Sequence, residues 1–292
     1  MEKNRETPFI RYEESKSAGT KIIIENRYAE AEIYLLGAHL THFQPKGEQK
    51  VIFDGKESYI LPPKNAHFGI PVCWPWFGPH ATDSSKPQHG FARNLPWELE
   101  KAHMLEDGST QVTLCLKSDE WTLSLWDYPF KLQLIFTLGK TLRLELVTHN
   151  RSEKTMQIGQ ALHSYLYVQD ITKITLFGLE DTPFIDQLDN DRVKTEQHPL
   201  HFTRKFDRIY IPTTAACEIH DPLLKRRVVV QKSNSKATTV WNPWSENGLH
   251  DLPADTYRHF VCIEAVNTKQ ATQTLQSGES CSLIQTIGIE SL

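Results

Sequence analysis

The chain has 292 residues, of which 23% are charged and 39% hydrophobic, and its formal net charge is −4. That length and balance supply ample material for a folded core and argue against long disorder. The slight negative charge offers no basic face for nucleic acid or an anionic membrane, so neither is an expected partner. At the N-terminus, MEKNRETPFIRYEESKSAG is charged and has no apolar signal segment, so about residues 1–19 read as an extension. Period-two alternation, the mark of strands, dominates the remainder. It predicts strands at Lys21–Glu25, Glu32–Leu36 and Gln111–Lys117, then a turn or two of helix within Ser118–Tyr128 from a Ser or Asp cap. In Lys131–Val147 two alternating runs joined at Gly139–Lys140 read as a hairpin with a II′ turn. Further strands are predicted at Ile174–Phe177, Arg227–Gln231, Thr238–Trp241, Phe260–Val266 and Ser282–Ile287. The β-branched runs Ile22–Ile24 and Val228–Val230 suit strands covered on both faces.

Sixteen prolines punctuate these strands, many in loops such as Pro71–Pro79 and Asn242–Pro253. No repeat, low-complexity tract or linker divides the chain. The expectation is all-β: one antiparallel sandwich domain over 1–292, with few short helices and a concave sheet face open to a ligand. No segment approaches the ~18 uncharged apolar residues of a membrane-spanning helix. The cysteines, Cys73, Cys115, Cys217, Cys262 and Cys281, are scattered and odd in number. They read as buried, inert thiols in a reducing cytosol.

Four segments carry side chains that core packing alone does not require. His67–Pro79, HFGIPVCWPWFGP, is a rigid aromatic loop, either a hydrophobic plug or a ligand platform. Pro87–Trp97, PQHGFARNLPW, places Gln88, His89, Arg93 and Asn94 in one short turn-rich loop. Such donors suit a hydroxyl-rich or anionic ligand, and the Arg fork suits phosphate; an Arg paired with a nearby carboxylate is the alternative. Gln160–Tyr167, QALHSYLY, sets His163 inside an apolar stretch, as a core histidine or as an acid. Phe260–Asn267, FVCIEAVN, puts Glu264 in an apolar strand. There it serves either a structural ion pair or, with its pKa raised by burial, as a general base. Nucleotide loops, a GxSxG elbow and metal-ligand clusters are absent from the sequence, so neither cofactor nor metal is expected.

In these segments the sequence resembles the glucose-6-phosphate 1-epimerase branch of the aldose 1-epimerase, galactose mutarotase-like superfamily. GAHLTHFQP, GIPVCWPWFGP, QHGFARNLPW, ALHSYL, FDRIY and FVCIEA occur in the family's order, spread over about residues 20 to 288. The resemblance implies a large β-sandwich of galactose mutarotase-like type that interconverts the α and β anomers of a hexose 6-phosphate. It implies His163 as catalytic acid and Glu264 as catalytic base, with His89, Arg93 and Asp207 holding substrate. Gln88, His67 and Trp241 are further candidate contacts, and Trp74 or Trp76 is an alternative to Trp241 for stacking on the sugar. The family pattern departs at one point. Arg-Gly-Gly-(Ile/Val)-Pro, whose Arg helps to form the phosphate pocket, is here His67-Phe68-Gly69-Ile70-Pro71. A histidine is only fractionally charged at neutral pH and lacks the bidentate fork. Arg93, with Lys64 or Lys86, would then carry the anion. An epimerase for an unphosphorylated aldose and a non-catalytic carbohydrate-binding protein are the rival readings, and a monomer is favoured.

Overall fold

The computed structural model describes residues 9–15, 19–55, 67–245 and 252–292. Its strands pair antiparallel throughout. One eight-stranded sheet runs, edge to edge, from Arg192–Thr195 through Pro183–Asp186, Phe206–Tyr210, Ala237–Asn242 and Phe260–Asn267 to Gln160–Leu162 and Val72–Cys73. Tyr165–Tyr167 also pairs with Phe260–Asn267. The second eight-stranded sheet runs from Thr175–Phe177 through Cys217–Asp221, Arg226–Ser233, Ser280–Ser291, Leu142–Asn150, Phe130–Leu138 and Thr110–Lys117 to Glu98–Met104. A four-stranded sheet from Ile10–Ser15 to His39–Pro45 and a small two-stranded sheet complete the architecture. Ile10–Ser15, within the N-terminal extension, pairs with Gly19–Glu25.

Period-two patterning builds the sandwich. In Phe130–Leu138 and Leu142–Asn150 every second residue is buried, as a strand with one face on a core requires. Those side chains share one buried cluster with Val240, Val261, Ile263 and Ala265 of the first sheet. Along Phe260–Asn267 the alternate residues Phe260, Cys262 and Val266 pack in separate clusters on the other face. Glu264 has the same parity, so it lies on the face turned away from the second sheet. That outer face carries the site.

The expected strands are found with ends shifted by at most four residues, and the helix forms at Glu120–Leu125 behind an Asp119 capping box with Thr122. Other details differ. The 138–142 connection holds three residues, because Leu138 pairs with Leu142 and Gly139 does not take the positive φ of a II′ turn. Ile22–Ile24 is buried throughout, but Val229 is half-exposed, so the 228–230 run is covered on one face only. The cysteines are free; four are buried and Cys281 is half-buried. Burial pushes the Cys73 and Cys217 thiols up to about 12, which makes them poor nucleophiles. Among the described residues no helix is long and apolar enough to cross a membrane.

Candidate active site

Glu264 sits mid-strand with all eight residues of Phe260–Asn267 buried, and its side chain is 1% exposed. Its ladder partner on one side is Thr239. On the other side the partner strand is broken. Leu162 pairs with Ala265 and Tyr165 with Cys262, leaving His163 and Ser164 outside regular pairing. His163 therefore lies in an irregular break between two short strands, Gln160–Leu162 and Tyr165–Tyr167. Its backbone N–H donates instead to Pro71 O at 3.1 Å. Within the break its ring stacks on Tyr165 at 4.8 Å and 7°. This places His163 Nε2 3.5 Å from Glu264 Oε1.

The pair shares a cavity of about 860 Å³, well within the range of small-molecule sites. His67, Gln88, His89, Arg93, Asp207 and Trp241 all line it, so the sequence-derived contacts converge on one place. Residues that sequence reading missed line it as well, among them Phe77, Tyr165, Gln187, Asp191 and Thr239. Gln187 embraces Asp207: its side-chain amide donates to the Asp207 carboxylate and its backbone N–H to Asp207 O. No periodicity or motif signals Gln187 or Thr239, because each reaches the site only through pairing with distant strands.

The tryptophans separate by role. Trp74 is fully buried, packed edge-on to Phe91 and Trp126, and donates Nε1–H to Thr148 Oγ1 at 3.1 Å across to the second sheet. It is core, and cannot stack on a ligand. Trp76 donates to Pro87 O and braces the neighbouring loop, outside the cavity lining. Trp241 alone of these three lines the cavity, so the aromatic loop acts mainly as a plug whose two ends, His67 and Phe77 to Pro79, reach the ligand space.

The His89 loop is set by backbone conformation. His89 and Gly90 both have positive φ, 64° and 74°, and a Cβ on Gly90 would stand 1.9 Å from Trp74 O. Only glycine fits there. Gly78 N–H donates to His89 Nδ1 at 3.1 Å, so the neutral ring carries its proton on Nε2. Burial, with Arg93 and His67 adding to it, drives the His89 pKa down to about 3, which keeps the ring neutral. Arg93 follows in the 3₁₀ turn Ala92–Asn94, and Trp97 Nε1–H pins that turn through Ala92 O at 3.0 Å. The guanidinium donates to Gln88 O at 3.0 Å.

Beside Arg93's cavity wall, His67 stacks on Trp241 at 6.2 Å and 24°. Its neighbour Phe68 turns inward, 3% exposed, against Phe53, Tyr165 and Phe260, and stacks on His39. Lys86 does not line the cavity, and Lys64 lies outside the described residues.

Burial dominates the electrostatics of the central pair. It raises Glu264 well above the usual carboxylate range; Asp207 adds to the rise and Arg93 opposes it. It lowers His163 well below its ordinary value, helped by His89, Arg93 and His67. Both shifts favour the uncharged pair, with one proton held between carboxyl and imidazole. Asp207 is likewise raised, chiefly by burial, with the Gln187 hydrogen bond opposing. A donor and an acceptor of protons thus face one polar cavity. Among the described residues no group of His, Cys, Asp and Glu is arranged to hold a metal ion.

The family model for aldose 1-epimerase matches residues 20–288. The chain belongs to the aldose 1-epimerase family. As a member it is an isomerase. A provisionally named glucose-6-phosphate 1-epimerase of Salmonella typhimurium is 35% identical over 269 residues, 91% of this chain and 89% of that protein. The crystal structure of a provisionally named mutarotase from the same organism superposes with a TM-score of 0.90 at 32% identity, covering 99% of this chain and 96% of that one. A galactose mutarotase-like protein from Clostridium acetobutylicum, at 16% identity, shares the fold with a TM-score of 0.75 over 97% and 98% of the two chains. The expected fold class, a galactose mutarotase-like β-sandwich, is the one observed.

Proposed function

We propose that the chain interconverts the α and β anomers of a hexose 6-phosphate, with glucose 6-phosphate as the reference substrate, and that His163 and Glu264 carry the proton transfers. The observation that carries this reading is the 3.5 Å approach of His163 Nε2 to Glu264 Oε1 on the wall of a polar cavity. In its ionised form Glu264 takes the proton from the C1 hydroxyl, and protonated His163 gives one to the ring oxygen. The C1–O5 bond breaks to give the open aldehyde. Rotation about C1–C2 presents the other carbonyl face, and reversed transfers close the ring. Each well-placed acid or base of this kind contributes about 10²- to 10⁴-fold. The pair needs only one proton in total, which moves from carboxyl to imidazole as substrate hydroxyls replace the missing solvent around the carboxylate.

His89 donates through Nε2, Asp207 and Gln187 accept and donate to sugar hydroxyls, and Trp241 offers its face to the ring's C–H side. Arg93 is a permanent cation on the cavity wall and the natural partner for a phosphate. The names of the relatives support the phosphorylated substrate. A second reading, a neutral aldose, is favoured by one feature: His67 stands at the position of the family's Arg while Phe68 is turned away into apolar packing. A monomer is the favoured state, and free thiols suit the cytosol. Both large sheets draw strands from across the chain, which supports a single domain. The test is anomer exchange by magnetisation-transfer NMR on glucose and on glucose 6-phosphate, for the wild type, Glu264→Gln and His163→Ala. Loss of exchange in both folded variants is expected, with the phosphorylated sugar preferred by the wild type. Undiminished exchange in either variant sinks the catalytic assignment, and a preference for glucose sinks the phosphate.

A further inference from the structure

Beneath the catalytic pair, on the side facing the second sheet, lies a polar ring that the reaction itself does not touch. Gln285 belongs to the strand Ser280–Ser291, and its neighbours on the same strand face, Leu283 and Ile287, are fully buried in the main apolar cluster. Gln285 is itself 0% exposed, yet it is an amide among hydrocarbons. Its side chain crosses between the sheets. Oε1 accepts from the hydroxyl of Ser164, which is also fully buried. Nε2 donates to Ile263 O at 2.9 Å. Ile263 N–H in turn donates to Ser164 O at 3.3 Å, which closes the ring.

The residues joined are the immediate neighbours of the catalytic groups. Ser164 follows His163, in the break where regular pairing fails, and Ile263 precedes Glu264. A leucine at 285 would continue the apolar stripe and bury no amide. A buried amide costs free energy unless every hydrogen bond is made, and even a satisfied network gives little over good packing. What it does supply is geometric definition. The break at 163–164 is where that definition is needed, because the backbone there lacks regular pairing on both residues.

We propose that Gln285, through Ser164 and the Ile263 carbonyl, is a positioning residue that holds His163 and Glu264 at their working separation. It touches neither substrate nor reacting atoms. This rests on the reading of His163 and Glu264 as acid and base, since the ring serves no purpose in catalysis otherwise. Ring opening requires one proton to arrive as another leaves, so a drift of one backbone segment past the other costs rate more than affinity. A misplacement of 1 Å can cost on the order of 100-fold.

The test compares the wild-type chain with Gln285→Leu, Ser164→Ala, His163→Ala, Glu264→Gln and the double variant His163→Ala/Gln285→Leu, using anomer exchange on glucose 6-phosphate, circular dichroism and thermal melting. Gln285→Leu is expected to fold, with its melting temperature lowered because the Ser164 hydroxyl is left unpaired, and with kcat reduced about 10- to 100-fold and KM within about twofold. Ser164→Ala is the smaller lesion and should reduce kcat in the same way. The double variant should be no slower than His163→Ala, because positioning a missing imidazole has no value. A purely structural role predicts a lowered melting temperature with unchanged kcat in the folded fraction, and losses that multiply in the double variant would overturn the proposal by showing that Gln285 acts independently of His163. Wild-type kcat in folded Gln285→Leu overturns the proposal; should that variant not fold, wild-type kcat in Ser164→Ala does so. Full activity in His163→Ala and Glu264→Gln would instead remove the catalytic reading on which it stands, a separate outcome in the same experiment.

Discussion

Thr239 stands directly across the strand ladder from Glu264, and neither the Thr239 hydroxyl nor Glu264 Oε2 has a hydrogen-bond partner among the described residues. Both residues line the cavity, and Thr239 is only 2% exposed. An unpaired buried hydroxyl costs about 1–3 kcal/mol, and a β-branched valine has nearly the same shape. Thr239→Val is therefore expected to raise the melting temperature while lowering anomer exchange several-fold. Parallel melting curves and exchange rates check both halves. A stabilised variant with full activity would mean that the hydroxyl serves neither carboxylate nor substrate.

The same logic gives Glu264 a pH signature. Its folded pKa lies above its unfolded value because burial penalises the carboxylate. The folded protein thus holds a proton that the unfolded chain has released, and this contribution is lost as pH rises from the ordinary carboxylate range toward the folded value. A glutamine in its place has no proton to lose. Glu264→Gln should therefore be inactive yet more stable than the wild type, with the gain larger at about pH 8 than at about pH 5. Differential scanning calorimetry at the two pH values measures it. A gain that shrinks on raising the pH would contradict the raised carboxyl.

How much of this was legible in the sequence follows from the range of the interactions. Strands such as Phe130–Leu138 carry their own alternation, and Asp119 with Thr122 carries its own cap, so both were readable locally. Strands of three residues, such as Met156–Ile158 and Gln160–Leu162, are too short for a period to appear. Trp74 and Trp241 are chemically alike, and only the sheet each packs against makes one core and the other cavity wall. His163 was found, but its place in a strand break was not, because the break exists only relative to Phe260–Asn267 about a hundred residues away. Gln187, Thr239 and Gln285 act through partners on other strands, and nothing beside them in the chain distinguishes them from ordinary polar residues.

Gly90 links backbone conformation to the site. Its φ is +74°, and an added Cβ would meet the Trp74 backbone at 1.9 Å, a contact that cannot relax by rotating a side chain. Gly90→Ala should therefore displace the adjoining His89, whose Nδ1 is held by Gly78 N–H, and should destabilise the fold by roughly 1–3 kcal/mol. Urea unfolding together with KM for the sugar provides the check. Both should worsen, whereas an unchanged KM would show that His89 does not contact substrate.

In the proposed reading, His67 is the residue on which the grip on an anion turns. It lies on the cavity wall against Trp241, at the position where the sequence resemblance implies an arginine, and Phe68 beside it is committed to the buried cluster with Tyr165 and Phe260. An arginine at 67 would add a permanent charge and a planar fork able to take two phosphate oxygens. It would also keep a flat group against the Trp241 ring. His67→Arg is thus expected to increase kcat/KM for glucose 6-phosphate by about tenfold, the scale of one charge-assisted hydrogen bond. The value for glucose should change little, because the acid and base are untouched. The ratio of the two constants, measured across ionic strength, separates the cases. A ratio that rises and then falls with added salt marks a phosphate reached by the new guanidinium; a ratio unmoved by the substitution places the phosphate end of the substrate elsewhere on the wall, toward Arg93.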